Sequence, residues 1–152
     1  MKFLFLLIFI IYSYKSYSSQ IGSETGFNIP RYVSIKSNEV NVRIGPSENY
    51  PISIKYIKKN FPVEIIDEHK NWRKIMDYYK NTGWIKKNLL QGERFAIVKK
   101  GTDNKFVYIN PIGFKIGEIE QINIVKIKKC RKEWCYISFE NYHGWMKKNN
   151  LW

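Results

Sequence analysis

Two stretches of this chain repeat one another in the same order. Trp72-Arg73-Lys74-Ile75 is followed by Gly83-Trp84-Ile85-Lys86-Lys87-Asn88 and Leu89. Near the C-terminus, Trp134-Cys135-Tyr136-Ile137 is followed by Gly144-Trp145-Met146-Lys147-Lys148-Asn149 and Leu151. Such self-similarity means one supersecondary unit used twice. Divided in this way, 152 residues leave about 60 for each unit, near the lower limit for independent folding. Units of that size need dense aromatic packing or a covalent staple. The chain offers both, with 16% aromatic residues and two cysteines.

Within each unit the apolar residues alternate with polar ones. Val40, Val42 and Ile44 are separated by Asn41 and Arg43, which is the period of a half-buried strand. Gly45-Pro46-Ser47 stops that strand, because proline cannot continue a ladder. Ile52, Ile54 and Tyr56 alternate again, and Lys58-Lys59-Asn60 reads as a turn. Residues 63–66 form another strand, residues 68–71 a polar hairpin tip, and Trp72 opens the return strand. A turn at Asn81-Thr82-Gly83 leads to a short strand at Trp84-Ile85, and residues 86–90 suit one helical turn. In the second unit, residues 106–109 take the place of the first alternating strand and residues 122–125 match 63–66. Several short strands at close spacing, with no helix-period stretch, point to an all-β fold of two small barrels. Gln91-Gly92-Glu93 is a short joint, so the two units are expected to touch.

The N-terminus reads differently. Met1-Lys2 precedes an apolar run at residues 3–12 and a polar segment ending in Ser16 and Ser18, the pattern of a secretory leader. The run is too short to span a bilayer, which takes ~20 apolar residues. The expected organisation is a signal peptide at 1–18, a linker at 19–30, a first unit at 31–91 and a second at 95–152.

Asn41-Val42-Arg43-Ile44-Gly45-Pro46-Ser47, then Tyr50-Pro51, Trp72-Arg73-Lys74-Ile75 and Gly83-Trp84-Ile85, resembles the bacterial SH3 domain. The mature chain as a whole is similar to exported two-SH3 proteins of proteobacteria, whose second copy carries a Cys…Trp-Cys pair before its Gly-Trp. The resemblance implies two tandem SH3-like β-barrels in an exported, periplasmic protein. It also implies binding of peptidoglycan or other cell-wall peptides. Within the motif, Asn41 and Arg43 are expected on the outer face, Gly45-Pro46 at a turn, and Trp84 and Trp145 as large core side chains beside Gly83 and Gly144.

Cys130 and Cys135 enclose four residues, and across a tight hairpin that spacing allows a disulfide. Export to an oxidising compartment favours one. The spacing is not Cys-x-x-Cys, and Cys130, Cys135 and His143 give three zinc ligands where a structural site wants four. No metal, cofactor or catalytic residue is assigned. His69 and His143 stand apart from any nucleophile, and Glu64, Asp67, Glu68 and Asp77 read as solvated acids. Turn-borne aromatics are the candidates for contact with a ligand, foremost Tyr50, Trp72, Tyr78 and Tyr79, with Trp134, Tyr136 and Tyr142 as related positions.

The net charge of +13 favours acidic partners in general, although the excess is scattered lysine of the kind an A+T-rich coding sequence produces. The reading that follows is a non-catalytic exported binding module for peptidoglycan or a cell-envelope protein. The alternative is a structural protein–protein module with no wall ligand. Nucleic acid is set aside because exported proteins rarely meet it.

Overall fold

The computed structural model describes residues 20–101 and 105–152. The leader expected at 1–18 lies outside them, as does Ser19. The described chain is all-β. Strands β1 (Gln20–Ile21) and β2 (Asn28–Ile29) form a small antiparallel ribbon. A first sheet follows, built from β3 (Arg31–Ile35), β4 (Val40–Arg43), β5 (Ile52–Tyr56), β6 (Pro62–His69), β7 (Trp72–Met76), β8 (Thr82–Lys86) and β9 (Leu90–Gln91). A second sheet uses β10 (Phe95–Ile97), β11 (Phe106–Tyr108), β12 (Lys115–Glu118), β13 (Ile124–Arg131), β14 (Trp134–Phe139) and β15 (Tyr142–Lys147). A single 3-10 turn closes each sheet, at Lys87–Leu89 and Lys148–Asn150.

The two sheets share one strand order. The first runs β5-β4-β8-β7-β6-β3-β9 and the second β12-β11-β15-β14-β13-β10, with a Val98–Leu151 bridge where the first has β3 beside β9. They share irregularities as well. The register slips between Ile65 and Asp67 and again between Ile127 and Lys129. It slips between Val42 and Arg43 and again between Val107 and Tyr108. Lys70 and Lys132, at the two equivalent hairpin tips, both have φ near +50°. These registers correct one sequence match. Val125 pairs with β10 as Val63 pairs with β3, so residues 122–125 are displaced by three from the expected alignment with 63–66. The cause is local: Ile122 occupies a turn at positive φ, and the strand begins only at Ile124.

Each sheet encloses its own core. Val33, Ile35, Val42, Val63, Ile65, Ile75 and Ile85, drawn from five strands, meet in one cluster. Side chains from five neighbouring strands cannot meet above a flat sheet, so the sheet curls around them, as strand twist favours. The second cluster gathers Val107, Val125, Cys135, Ile137 and Met146 in the same way. Cys130 and Cys135 stand opposite one another across β13 and β14 and are joined by a disulfide. The two units touch, as the short joint requires. Tyr32 and Tyr78 of the first meet Trp152 of the second at ring separations of 5.3 and 5.7 Å, and the Ser34 hydroxyl donates to the Glu93 carbonyl at 2.8 Å.

The segment 20–30, expected to be a linker, is ordered structure. Its ribbon is held by Glu68, whose carboxylate accepts from the Thr25 hydroxyl at 2.8 Å and from the Thr25 and Glu24 N–H groups at 2.9 and 3.0 Å. The same carboxylate pairs with Arg31 at 3.3 Å and Arg73 at 3.4 Å, and its side chain has no exposed surface. Glu68 is therefore buried, contrary to its reading as a solvated acid. Burial pushes its carboxyl up, but the Thr25 hydroxyl, the two N–H donors and the Arg73 charge outweigh burial and hold it below the ordinary range. Breaking a buried charge cluster by removing one partner costs about 3 kcal/mol or more. Glu68→Gln is expected to lower stability by that order in urea denaturation and to release amide protection in residues 20–29. A depressed carboxylate stabilises above its unfolded pKa of about 4.3 and loses that contribution as pH falls through its lower folded value. The native protein should therefore lose stability below about pH 4 more steeply than the Gln variant.

Candidate functional site

A cleft of about 350 Å³ opens on the outer face of the first sheet, where β7 begins. Trp72 forms its floor, standing opposite His69 on β6 and Lys86 on β8. The Trp72 ring is almost wholly buried, and the Lys86 ammonium lies 6.0 Å from its centre. Asn41 and Arg43, the outward residues of β4, form one wall, and Glu39 and Glu48 stand at the rim. Glu48 pairs with Lys86 and Glu39 with Lys55. The hydrogen bond from Lys86, with its charge, draws the Glu48 carboxyl below its usual value. Arg43 donates to the Tyr50 carbonyl at 2.7 Å and so ties the 45–50 loop to the cleft wall. Gly45 lets the Tyr50 ring pack against the backbone, since a Cβ there would come within 2.6 Å of it and displace it. The result is a cleft lined by one tryptophan and by both cationic and carboxylate side chains.

The four expected contact residues do not form one site. Trp72 lines the cleft; Tyr50 does not, and only its carbonyl reaches the wall, accepting from Arg43. Tyr78 and Tyr79 lie beyond the other end of β7, about 20 Å away at ~3.3 Å per strand residue. Tyr78 is committed to the seam between units, where its hydroxyl accepts from the Lys100 N–H at 2.9 Å and its ring meets Trp152. Tyr79 packs edge-on to Tyr78 at 5.1 Å and is otherwise exposed.

Asp77 sets that second location. It is buried, not solvated as the sequence suggested, and accepts from the Tyr56 hydroxyl at 2.8 Å, from the Tyr79 and Asn81 N–H groups at 2.9 and 2.8 Å, and from the Asn81 side chain at 3.0 Å. Burial, then the Asp77 hydrogen bond and charge, push the Tyr56 hydroxyl far above its ordinary pKa. An Asp at the head of a turn closed by an Asn is a readable turn signal. What it does not reveal is the tyrosine from a distant strand.

The tryptophans of the repeated Gly-Trp pair also need correction. Trp84 and Trp145 are only half-buried and point outward, while their neighbours Ile85 and Met146 fill the cores. Gly83 and Gly144 are the inward residues before them, which fixes each tryptophan on the outer face by alternation. Among the described residues no group of three or more His, Cys, Asp or Glu could hold a metal, and no helix is long and apolar enough to cross a membrane.

The first unit is thus a seven-stranded, all-β sheet with a cleft on its outer face. Residues 36–92 match the family model of the bacterial SH3 domain, a span that takes in most of the first sheet. Solved structures similar to the chain include NlpC2 from Trichomonas vaginalis, with TM-score 0.37 and 14% identity, covering 81% of this chain and 48% of that one. NlpC1 from the same organism gives 0.36 and 13%, covering 86% and 48%. An NlpC/P60 family protein from Bacillus cereus gives 0.35 and 14%, covering 80% and 56%. The chain thus spans about half the length of these proteins. A comparison with curated proteins finds no match.

Asp77→Ala strands the Tyr56 hydroxyl and two backbone N–H groups, each a loss of ~1–3 kcal/mol when buried. It is expected to cost about 3 kcal/mol in urea denaturation, whereas Tyr56→Phe, which removes one bond, should cost about 1 kcal/mol.

Proposed function

We propose that this chain is an exported, non-catalytic binding module that recognises peptides of the bacterial cell wall through the Trp72 cleft. The observation that carries the reading is the cleft itself, set in the segment that matches the bacterial SH3 domain model. Arg43, Lys86, Glu39 and Glu48 line the cleft together with Trp72, so a peptide bearing both amino and carboxylate groups finds a partner for each. The Glu48–Lys86 pair is exposed and therefore weak in itself, which leaves both groups available for exchange with a charged ligand. The disulfide supports residence in an oxidising compartment such as the periplasm, in keeping with the leader-like pattern at residues 1–18. The two sheets with equivalent strand order support tandem domains with the boundaries expected from the sequence.

A second reading, an envelope protein as partner, is favoured by one feature. Ile112 and Phe114, between β11 and β12, are exposed without cover. Scattered exposed apolar residues are ordinary, but two on one loop suit a protein contact.

The mature protein should sediment with purified peptidoglycan. Muropeptide titration should shift the Trp72 indole and the amides of Arg43, Glu48 and Lys86. Lys86→Ala combined with Arg43→Ala is expected to weaken binding by about tenfold or more, as for other paired charges at a binding surface. Failure to pellet at both low and physiological salt, or shifts confined to residues 106–118, would overturn the wall-peptide reading.

A further inference from the structure

The outer face of the second sheet carries an arrangement that the Trp72 cleft does not explain. Across it, Lys129 stands opposite Tyr136, Tyr136 opposite Trp145, Trp145 opposite Tyr108, and Tyr108 opposite Lys115. Three aromatic residues bracketed by two lysines thus cross five strands, roughly 19 Å at a strand spacing of about 4.8 Å. One step along, Trp134 stands opposite Lys147. The rings interlock. Tyr136 and Trp145 lie 5.4 Å apart, and Tyr108 meets Trp134 edge-on at 5.2 Å.

These rings hold the ammonium groups in place. The Lys129 ammonium is 5.6 Å from the Tyr136 ring centre and 5.7 Å from that of Trp145. Lys147 lies 5.9 Å from Trp134, and Lys115 lies 3.5 Å from Phe106. Among the described residues, none of these three lysines has a carboxylate within 4.0 Å, whereas Lys105 and Lys126 of the same sheet are paired with Glu118 and Glu93. The face therefore carries three ring-associated cations outside any direct ion pair, and its one carboxylate opposite Phe106, Glu118, is paired with Lys105.

The first sheet is an internal control. Its equivalent row, by the same registers and the same two bulges, reads Asp67, Lys74, Trp84, Arg43, Ile52. Only the tryptophan is common to both. The fold therefore tolerates Lys where the second copy has Tyr136, Arg where it has Tyr108, and Asp where it has Lys129. The aromatic and cationic residues gathered in the second copy are not required to build the sheet.

We propose that this face binds an acidic polysaccharide. Ammonium groups held in a row by aromatic rings match acid groups repeated along a sugar chain, and the ring edges between them offer apolar contact to the sugars. Single-stranded nucleic acid suits it less, because bases stack on open aromatic faces. Here the lysines cover those faces, and the rings meet at steep angles. The site lies on the opposite unit from the Trp72 cleft and stands independently of it.

The test uses the full mature chain with polygalacturonate as a uronic-acid polymer, dextran as its neutral counterpart and an oligo-dT strand, followed by calorimetry at ~0.1 M salt, where distant surface charges are screened. Polygalacturonate should bind and dextran should not. Lys129→Gln with Lys147→Gln should weaken binding about tenfold, while Lys58→Gln with Lys59→Gln, an equal loss of charge from the first unit, should change it less than about twofold. Tyr136→Lys is the decisive variant. It installs the residue the first sheet carries at that position and adds a positive charge. A ring-organised site loses affinity, by about fivefold, whereas general electrostatic attraction gains. Absence of polygalacturonate binding, equal losses in the two lysine pairs, tighter binding by the Tyr136→Lys chain, or oligo-dT binding more tightly with the same residue dependence would each overturn the proposal. Muropeptide shifts at Trp72 should persist in all of these variants, so failure here is separable from failure of the wall-peptide reading.

Discussion

Both sheets depend on a glycine placed where two strands lie too close for a side chain. A Cβ at Gly83 would come within 2.5 Å of Val42 and 2.9 Å of the Arg43 carbonyl, and one at Gly144 within 2.4 Å of Val107 and 2.9 Å of the Tyr108 carbonyl. The contact cannot relax by side-chain motion alone, because in each case one of the two neighbours is backbone. It also fixes the side-chain phase of the strand. With the glycine inward, the next residue must face out and the one after it must face in. Trp84 and Trp145 are thereby committed to the outer surface, and Ile85 and Met146 to the cores. The repeated Gly-Trp pair records one packing constraint together with its consequence for the outer face.

Two buried carboxylates complete the first unit. Glu68, near the end of β6, draws in the N-terminal ribbon, and Asp77, just after β7, closes the turn that presents Tyr79 and sends Tyr78 into the seam. Glu68 takes its donors from the distant ribbon, and Asp77 takes its own from two residues of its turn and the Tyr56 hydroxyl of another strand, so neither buried carboxylate lacks hydrogen bonds. The second sheet has neither carboxylate and places a disulfide across its equivalent hairpin.

Much of the architecture was legible because it rests on local periodicity. The alternation in Val40-Asn41-Val42-Arg43 and the single turn after Lys86 follow from residues adjacent in sequence, whereas the hairpin tip expected at 68–71 is shorter, because β6 runs on to His69. The candidate site was legible only in part. Trp72 could be recognised as an aromatic at a strand end, but its burial and its partnership with Lys86, Arg43 and Glu48 require three further segments to converge. The ribbon at residues 20–29 was read as a linker because its few apolar residues show no period. Its order comes from a carboxylate some forty residues away.

From the amino acids alone one could read two similar stretches in the same order, two cysteines within reach of one another, and the alternation of several strands. Repetition, thiol spacing and alternation are properties of neighbouring residues and survive without a fold. Tertiary structure decided which acids are buried, which aromatics share a surface, and that the two copies diverge on their outer faces. Those outcomes depend on cross-strand register, and a register joins residues that the chain itself keeps far apart.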